Sequence, residues 1–440
     1  MLVKPGESSQ QQKVFSATTN VLLLLCAMYS LTYIDRTNVS TASSLFQKDL
    51  HLTQTQVGLV FSAFAYPYLV FQIIGGWVSD RFGARMTLTV SAIVWGAATL
   101  LTGVAGGLVA ILFARVLLGF GEGATFPTAT RAMSDWTPPG MRAFAQGLTH
   151  SSARLGNALT PPLVALLINR VNWRGSFFVL GLVSLAWAVV WAFYFRNDPA
   201  KHPGITSREL QLLPNFVVRK QSEKEPIPWW PLARRMFPVT IVYFCYGWTL
   251  WLYLAWIPSF FLHSYLLDLK NSAFYSAGVF FAGVVGNTLG GFVSDRIFAL
   301  TNDRNKARRN LVVLGFLCSL ASMIPLLFLR SLTGAAIFLS LGFFFAEFTI
   351  GPMWAIPMDI APRFSGSASG LMNTGSALAA ILSPLVFGFV IDKTGSWNLP
   401  FVGSIVLLFI GSILAFWMKP DELLPGSGLV VASSAKPVTP

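Results

Sequence analysis

Charge is what this chain has least of. Only 11% of its 440 residues are Asp, Glu, Lys or Arg, against about 25% in an ordinary soluble domain. So small a supply cannot cover the surface of a water-soluble fold of this length, and a cytosolic globular protein is excluded. Cysteine is equally sparse. Cys26, Cys245 and Cys318 are odd in number, lie in apolar runs and lack metal-type spacing. A disulfide framework and a zinc cluster are thereby excluded, and packing is their remaining use. His51, His150, His202 and His263 form no His-x3-His pair, and no Gly-x4-Gly-Lys-Ser/Thr loop is present. The first absence argues against a zinc-dependent membrane enzyme and the second against ATP as an energy source. Gly366-Ser367-Ala368-Ser369-Gly370 is a small-residue helix face and not a nucleophile elbow. The chain is expected to be no enzyme and to need no cofactor and no metal. A cleavable signal peptide is not expected either, since the first apolar run leads directly into further ones.

What is present is apolar length. Hydrophobic residues make up 54% of the chain and the mean hydropathy is +0.61, the composition of a polytopic membrane protein. Twelve spans are expected near 18–40, 54–78, 86–105, 107–131, 142–169, 174–195, 237–263, 272–298, 309–330, 333–357, 364–391 and 397–418. This divides the chain into an amino-terminal six-helix half (1–195), a polar linker (196–236), a second half (237–418) and a tail (419–440) read as disordered. A short surface helix is expected around Ser207–Leu213 in the linker. The net charge of +13 needs no nucleic acid, because it follows the positive-inside rule. About 22 of the 31 Lys and Arg residues fall on segments that share a side with both termini and about six on the other. Both termini are therefore expected in the cytoplasm, with the lipid bilayer as the surrounding partner.

The halves repeat. Gly75-Gly76-Trp77-Val78-Ser79-Asp80-Arg81 follows span two, and Gly290-Gly291-Phe292-Val293-Ser294-Asp295-Arg296 follows span eight. Glu122 precedes Pro127 by five residues, as Glu347 precedes Pro352. Trp173 and Phe177 open span six, as Trp397 and Phe401 open span twelve. The offsets, about 215, 225 and 224 residues, imply two parallel six-helix repeats. Such transporters hold substrate near the midplane and rock one repeat against the other.

Charges inside the spans are the candidate site. Arg115 and Glu122 are seven residues apart, two helical turns and about 10 Å along one face. Asp35 and Arg36 in span one are neighbours and point about 100° apart. Arg154 lies in span five and Glu347 in span ten. A charge at bilayer depth costs at least about 3 kcal/mol, so each must meet a partner or a wet cavity. Three such arginines argue for an anionic substrate and against the alternative reading, a metabolite or drug exporter working as a proton antiporter of the same fold, because a cation exporter would favour an acidic and aromatic lining. Gly76, Asp80, Arg81, Gly83 and Arg85, with Asp295 and Arg296 in the second copy, form a conformational latch. Gly76 permits close helix approach, Asp80 can pair with a basic residue or a helix amino terminus across the half, Gly83 turns the chain, and the arginines anchor at anionic lipid. The second copy has Ile297-Phe298 in place of the Gly-Ala-Arg tail and is expected to latch more weakly. The run from Arg304 to Arg309 reads as a solvated loop.

Residues 75–85 resemble the loop signature of the major facilitator superfamily. Tyr33-x-Asp35-Arg36, Phe61-Ser62-Ala63-Phe64-Ala65 with Tyr68, and Arg115 with Glu122 and Phe126-Pro127 resemble its anion:cation symporter family. That family includes bacterial permeases for hexuronates, galactonate, tartrate and phthalate, and animal sialic-acid and vesicular glutamate carriers. The resemblance implies a proton-coupled importer of a small organic anion in the bacterial inner membrane, working as a monomer. It implies that Asp35 and Glu122 take protons, Arg36 binds the substrate's anionic group, and Arg115 holds Glu122 or substrate. It implies further that Tyr68 and Asn373 contact substrate. The chain departs from the sugar-acid permeases at Ala153, where those carry a glutamine, and at Glu347, where a neutral polar residue is common. Arg154 suits a second anionic group, as in a dicarboxylate or sulfoacetate, or else pairs with Glu347 or Glu122. Glu347 is then a third proton site or Arg154's counter-charge.

Overall fold

The computed structural model describes residues 16–52, 54–214 and 226–425. The described chain is nearly all helical and contains no strand. Ten helices are long and apolar enough to cross a membrane, and Phe401–Trp417 is a shorter apolar one. The 56-residue helix Pro139–Tyr194 holds two crossings, broken where Asn172 takes φ 61°, so the crossings among the described residues number twelve. They form two pseudo-symmetric six-helix bundles.

Span one is Ala17–Asp49, capped by Ser16, and it runs well past Arg36. Asp35 and Arg36 are thus mid-helix residues. Span two is Gln54–Ala63 and Ala65–Phe82. Span three is Ala84–Val104, entered through Gly83 at φ 89°, a left-handed-side conformation that only glycine takes at no steric cost. Span four is Leu108–Gly123 and Thr125–Trp136. Spans five and six share Arg142–Tyr194. The linker carries a six-residue helix, Ser207–Leu212, closed by a capping box between Thr206 and Glu209. Span seven is Trp229–Ser264, eight residues longer at its start than the hydropathy suggests. Span eight is Leu269–Thr301. Span nine opens with a π-helical turn, Asn305–Asn310, before Leu311–Met323. Span ten is Leu332–Phe348 and Ile350–Ile360, span eleven Ser365–Thr394 and span twelve Phe401–Leu414. Leu424, in the segment read as a disordered tail, is instead buried, and its N–H donates to Ile360 O at 2.9 Å. Residues 426–440 lie outside the described residues.

Spans four and ten break alike, at Ala124 (φ −83°, ψ −12°) and Thr349 (φ −81°, ψ −12°). Proline explains the breaks. Pro127 and Pro352 bring no N–H for the carbonyls of Gly123 and Phe348. Threonine hydroxyls take up neighbouring carbonyls: Thr125 Oγ1 donates to Glu122 O at 2.6 Å and Thr349 Oγ1 to Ala346 O at 2.7 Å. Each break falls two residues after the buried glutamate, Glu122 or Glu347. The broken helices therefore end an apolar segment on a carboxylate at mid-membrane depth.

The halves meet along spans two, four and five on one side and eight, ten and eleven on the other. Glycines allow the approach: a Cβ on Gly76 would enter the Gly366 carbonyl, and one on Gly147 the Asn287 carbonyl. The described cross-half hydrogen bonds run from the Asp80 and Asp295 ends of the bundles up to Arg154 and Glu347 and no further. The cross-half hydrogen bonds among the described residues thus gather at the end carrying Asp80 and Asp295, called here the latch face; the opposite end, where none is described, is called the open face.

Candidate substrate and coupling site

The centre of the molecule holds three guanidiniums interleaved with aromatic rings, Arg115 and Arg154 buried and Arg36 partly so. Arg36 of span one is paired with Glu122 of span four. Its Cζ lies 4.6 Å from the Tyr68 ring, 5.0 Å from Phe64, 5.1 Å from Tyr33 and 5.3 Å from Phe126. Four aromatic faces round one cation make a cation–π cage. The cage is left with unmet polarity: Arg36 Nη2 and Glu122 Oε1 are buried and have no hydrogen-bond partner. Arg115 also lies against Phe64, with Cζ 5.3 Å from that ring. Its Nε donates to Val60 O at 3.3 Å, and its Nη1 is buried and unpartnered. Arg115 and Glu122 share the helix Leu108–Gly123 and are both buried, but the carboxylate's partner is Arg36. Asp35, one residue from Arg36, faces span six instead and accepts from Ser184 Oγ at 2.9 Å.

Glu347 is held very differently. Its carboxylate receives Arg154 Nε and Nη2, both at 3.2 Å, the Tyr246 hydroxyl at 2.7 Å and Asn287 Nδ2 at 2.6 Å. Arg154 in turn donates Nη1 to the Tyr33 hydroxyl at 3.1 Å. The pair is bidentate and spans the two halves, Arg154 from the first and Glu347 from the second. Of the two openings the residues left for Arg154, the structure has it paired with Glu347. Tyr68 contributes its ring face to Arg36 and stacks on Phe64 at 5.1 Å. Asn373 Nδ2 donates across the halves to Gln72 Oε1 at 2.8 Å. His150, four residues before Arg154, closes the floor toward the latch face with Tyr29 at 5.0 Å and Trp354 at 4.9 Å between ring centres.

At the latch face each repeat caps a helix of the other. Asp80 accepts from the N–H groups of Gly366 at 3.1 Å and Ser367 at 2.7 Å, the start of span eleven. Asp295 accepts from Ala143 at 3.3 Å and Phe144 at 2.7 Å, the start of span five. A carboxylate at a helix amino terminus satisfies orphan donors and faces the positive end of the dipole. Behind Asp80 stands Arg131, 3.6 Å away, which also donates to Pro362 O at 3.0 Å. Behind Asp295 stands Arg308 at 2.8 Å, bound also to Asp359 at 3.0 Å. Arg142 reaches Asp359 across the halves at 3.1 Å. The run from 304 to 309 is therefore not simply a solvated loop: Arg308 is fully buried, turned inward by the π-helical turn. It gives the second latch the cation that its missing tail lacks, so that latch is not the poorer one in contacts. Arg81 is exposed, over Trp77 at 5.7 Å and Phe82 at 5.9 Å, and Arg296 is exposed at the end of span eight. Arg85 Nε donates to Ala192 O at 2.7 Å and ties the turn at Gly83 to the end of span six.

Arg131, Arg142, Arg308 and Asp359 escape a reading of the sequence. All four sit where hydropathy places span ends, and charge at a span end is ordinary. The available signal was Asp359, an acid two residues after Pro357 beside an otherwise apolar run.

A family model described as Major Facilitator Superfamily matches residues 25–384. A protein of Cupriavidus necator described as a probable sulfoacetate transporter is 46% identical over 401 residues, which are 91% of this chain and 93% of that one. The hexuronate transporter of Bacillus subtilis is 31% identical over 86% of this chain and 89% of its own. In the solved proton:xylose symporter XylE the fold recurs at a TM-score of 0.75 with 13% identity, covering 93% of this chain and 98% of that one. The transporter FucP in its outward conformation matches at 0.69 with 14% identity over 92% of this chain and 99% of its own. The chain belongs to the major facilitator superfamily of membrane transporters. Within it, it falls in the anion:cation symporter family that its span motifs resemble.

Proposed function

We propose that this protein carries a small organic anion into a bacterial cell across the inner membrane, together with protons. The observation that supports this most is the Arg36–Glu122 pair, buried in an aromatic cage with unmet donors and acceptors on both partners. Such a pair is held by its charges, yet an anion arriving from the open face can take one partner. A substrate carboxylate or sulfonate on Arg36 completes the guanidinium's hydrogen bonds. Glu122 is then a buried carboxylate without its cation, and it is relieved by a proton. Arg115, which has no carboxylate of its own among the described ion pairs, keeps the site attractive to anions. Tyr68 and Tyr33 provide rings against which a short substrate packs. With both partners neutralised, the cost of moving the site past the midplane falls, and the halves rock until the latch face opens. The latch face is then the cytoplasmic one, carrying both termini.

The relative described as a sulfoacetate transporter makes sulfoacetate the first substrate to try. The relatives named for hexuronate and for galactarate and D-glucarate support the broader class of organic acids. The test is uptake into right-side-out vesicles of sulfoacetate, tartrate, phthalate and a sugar acid under an imposed inward proton gradient. One of these acids is expected to accumulate only with the gradient, and Arg36→Ala is expected to abolish its uptake. Uptake indifferent to the gradient, or retained by Arg36→Ala, refutes the proposal.

A further inference from the structure

We infer that Arg154 receives a second anionic head and that Glu347 is a second coupling carboxylate, so that the substrate is a small two-headed anion moved with two protons. This rests on the transport reading just given. The first support is symmetry. Glu122 and Glu347 occupy the same place in their repeats, each two residues before a break and five before a proline. Each is paired with one arginine from another span.

The second is spacing. Tyr33 lies between the two arginines, its ring centre 5.1 Å from Arg36 Cζ and 5.4 Å from Arg154 Cζ. The guanidinium carbons can therefore be no more than the sum, 10.5 Å, apart. A charge-assisted hydrogen bond of about 2.7–2.9 Å at each end, with the short body of a two-carbon acid between, bridges a gap of this order.

The third is position. Arg154–Glu347 is the cross-half ion pair furthest from the latch face. Opening that face requires it to part, and parting a buried pair without replacement costs about 3–5 kcal/mol. A second head that takes Arg154 removes this cost, whereas a one-headed anion on Arg36 leaves the pair closed. Glu347 then stays with Tyr246 of span seven and Asn287 of span eight, without its cation. The other titratable or charged groups nearby are Arg154, His150 and Tyr33, which remain with the first half, and Tyr243 of span seven, which stays with Tyr246. A proton from the open face restores neutrality at Glu347 as one does at Glu122. Two negative charges enter with two protons, and the cycle moves no net charge.

The experiment uses the full chain in proteoliposomes. The probes are sulfoacetate and malonate, with two heads, and methanesulfonate, with one. The proton-to-substrate ratio is read from the gradient that just stops net flux. The wild type is expected to move sulfoacetate with two protons, indifferent to a potassium–valinomycin potential. Methanesulfonate is expected to compete for the site without being carried. Glu347→Gln is expected to drop the ratio to one and to make uptake sensitive to an inside-negative potential. Should that variant not fold with Arg154 uncompensated, the neutral pair Arg154→Gln with Glu347→Gln carries the test: methanesulfonate enters, and sulfoacetate uptake falls about tenfold or more. A wild-type ratio of one, an unchanged ratio in Glu347→Gln, or sulfoacetate selectivity surviving in the double variant overturns the inference and leaves the transport reading standing. Failure of the wild type to move any anion overturns both.

Discussion

Asp80→Asn isolates what the latch contributes. In the closed state the Asp80 carboxylate takes two backbone donors from span eleven, at 3.1 and 2.7 Å. When the latch face opens these bonds go, while Arg131, in the same half, stays with Asp80. The substitution therefore acts on one state of the equilibrium. A hydrogen bond to a charged acceptor contributes about 1.5–3 kcal/mol and a neutral one about 1. Asparagine keeps a single neutral acceptor, so the closed state loses at least about 2 kcal/mol, and the closed-to-open ratio falls at least about thirtyfold. The readout is a pulsed electron–electron distance between spin labels at Met86 and Leu300, both exposed and in opposite halves, with the three cysteines replaced by serine. A population with the longer distance should grow in Asp80→Asn without substrate. An unchanged distribution would refute the claim that capping across the repeats holds this face shut.

Asp295→Asn should shift the same distribution by a similar amount, since Asp295 also takes two cross-half donors. Gly147→Ala, whose Cβ would enter the Asn287 carbonyl, should wedge spans five and eight apart at about 1–3 kcal/mol. Transport is lost with normal membrane insertion, and full uptake by this variant would contradict the packing. Arg36→Lys keeps the charge but not the planar fork inside the four-ring cage. Its half-saturation concentration for substrate should rise at least about tenfold, and an unchanged value counts against direct contact. Glu209 in the linker is pushed up by partial burial, but the donors of Thr18 and Thr206 outweigh this and hold its carboxyl below the ordinary range. Its stabilisation is then full above about pH 4.3 and fades as pH falls through the lowered folded-state value. Glu209→Gln should flatten the melting temperature between pH 5 and 3, and an unaltered slope would show that the linker helix does not dock there.

Apolar run lengths and the repeat were enough to read twelve crossings and two halves, because burial in lipid forces long apolar helices whatever their partners. The pairings were harder. Arg115 and Glu122 share a helix face, and their spacing along it invites a pairing. Two turns separate them, however, and Arg36 approaches Glu122 from a different span, which no spacing within span four reveals. Hydropathy ends span one near residue 40, about a turn past Arg36, but the helix runs on to Asp49. Arg308 looked solvated for the same kind of reason. The π-helical turn that points it at Asp295 and Asp359 depends on contacts far apart in the chain, and composition carries no trace of it.

The most direct measurement compares substrate exchange with proton-driven accumulation in Glu122→Gln. If Glu122 is the carboxylate that an anion frees from Arg36, the neutral variant should still bind substrate and exchange it across the membrane by counterflow. Its uphill accumulation under an imposed inward proton gradient should fall well below the wild-type level, since at most the proton on Glu347 remains to drive it. Uphill, gradient-driven accumulation by Glu122→Gln at the wild-type level would contradict the coupling scheme.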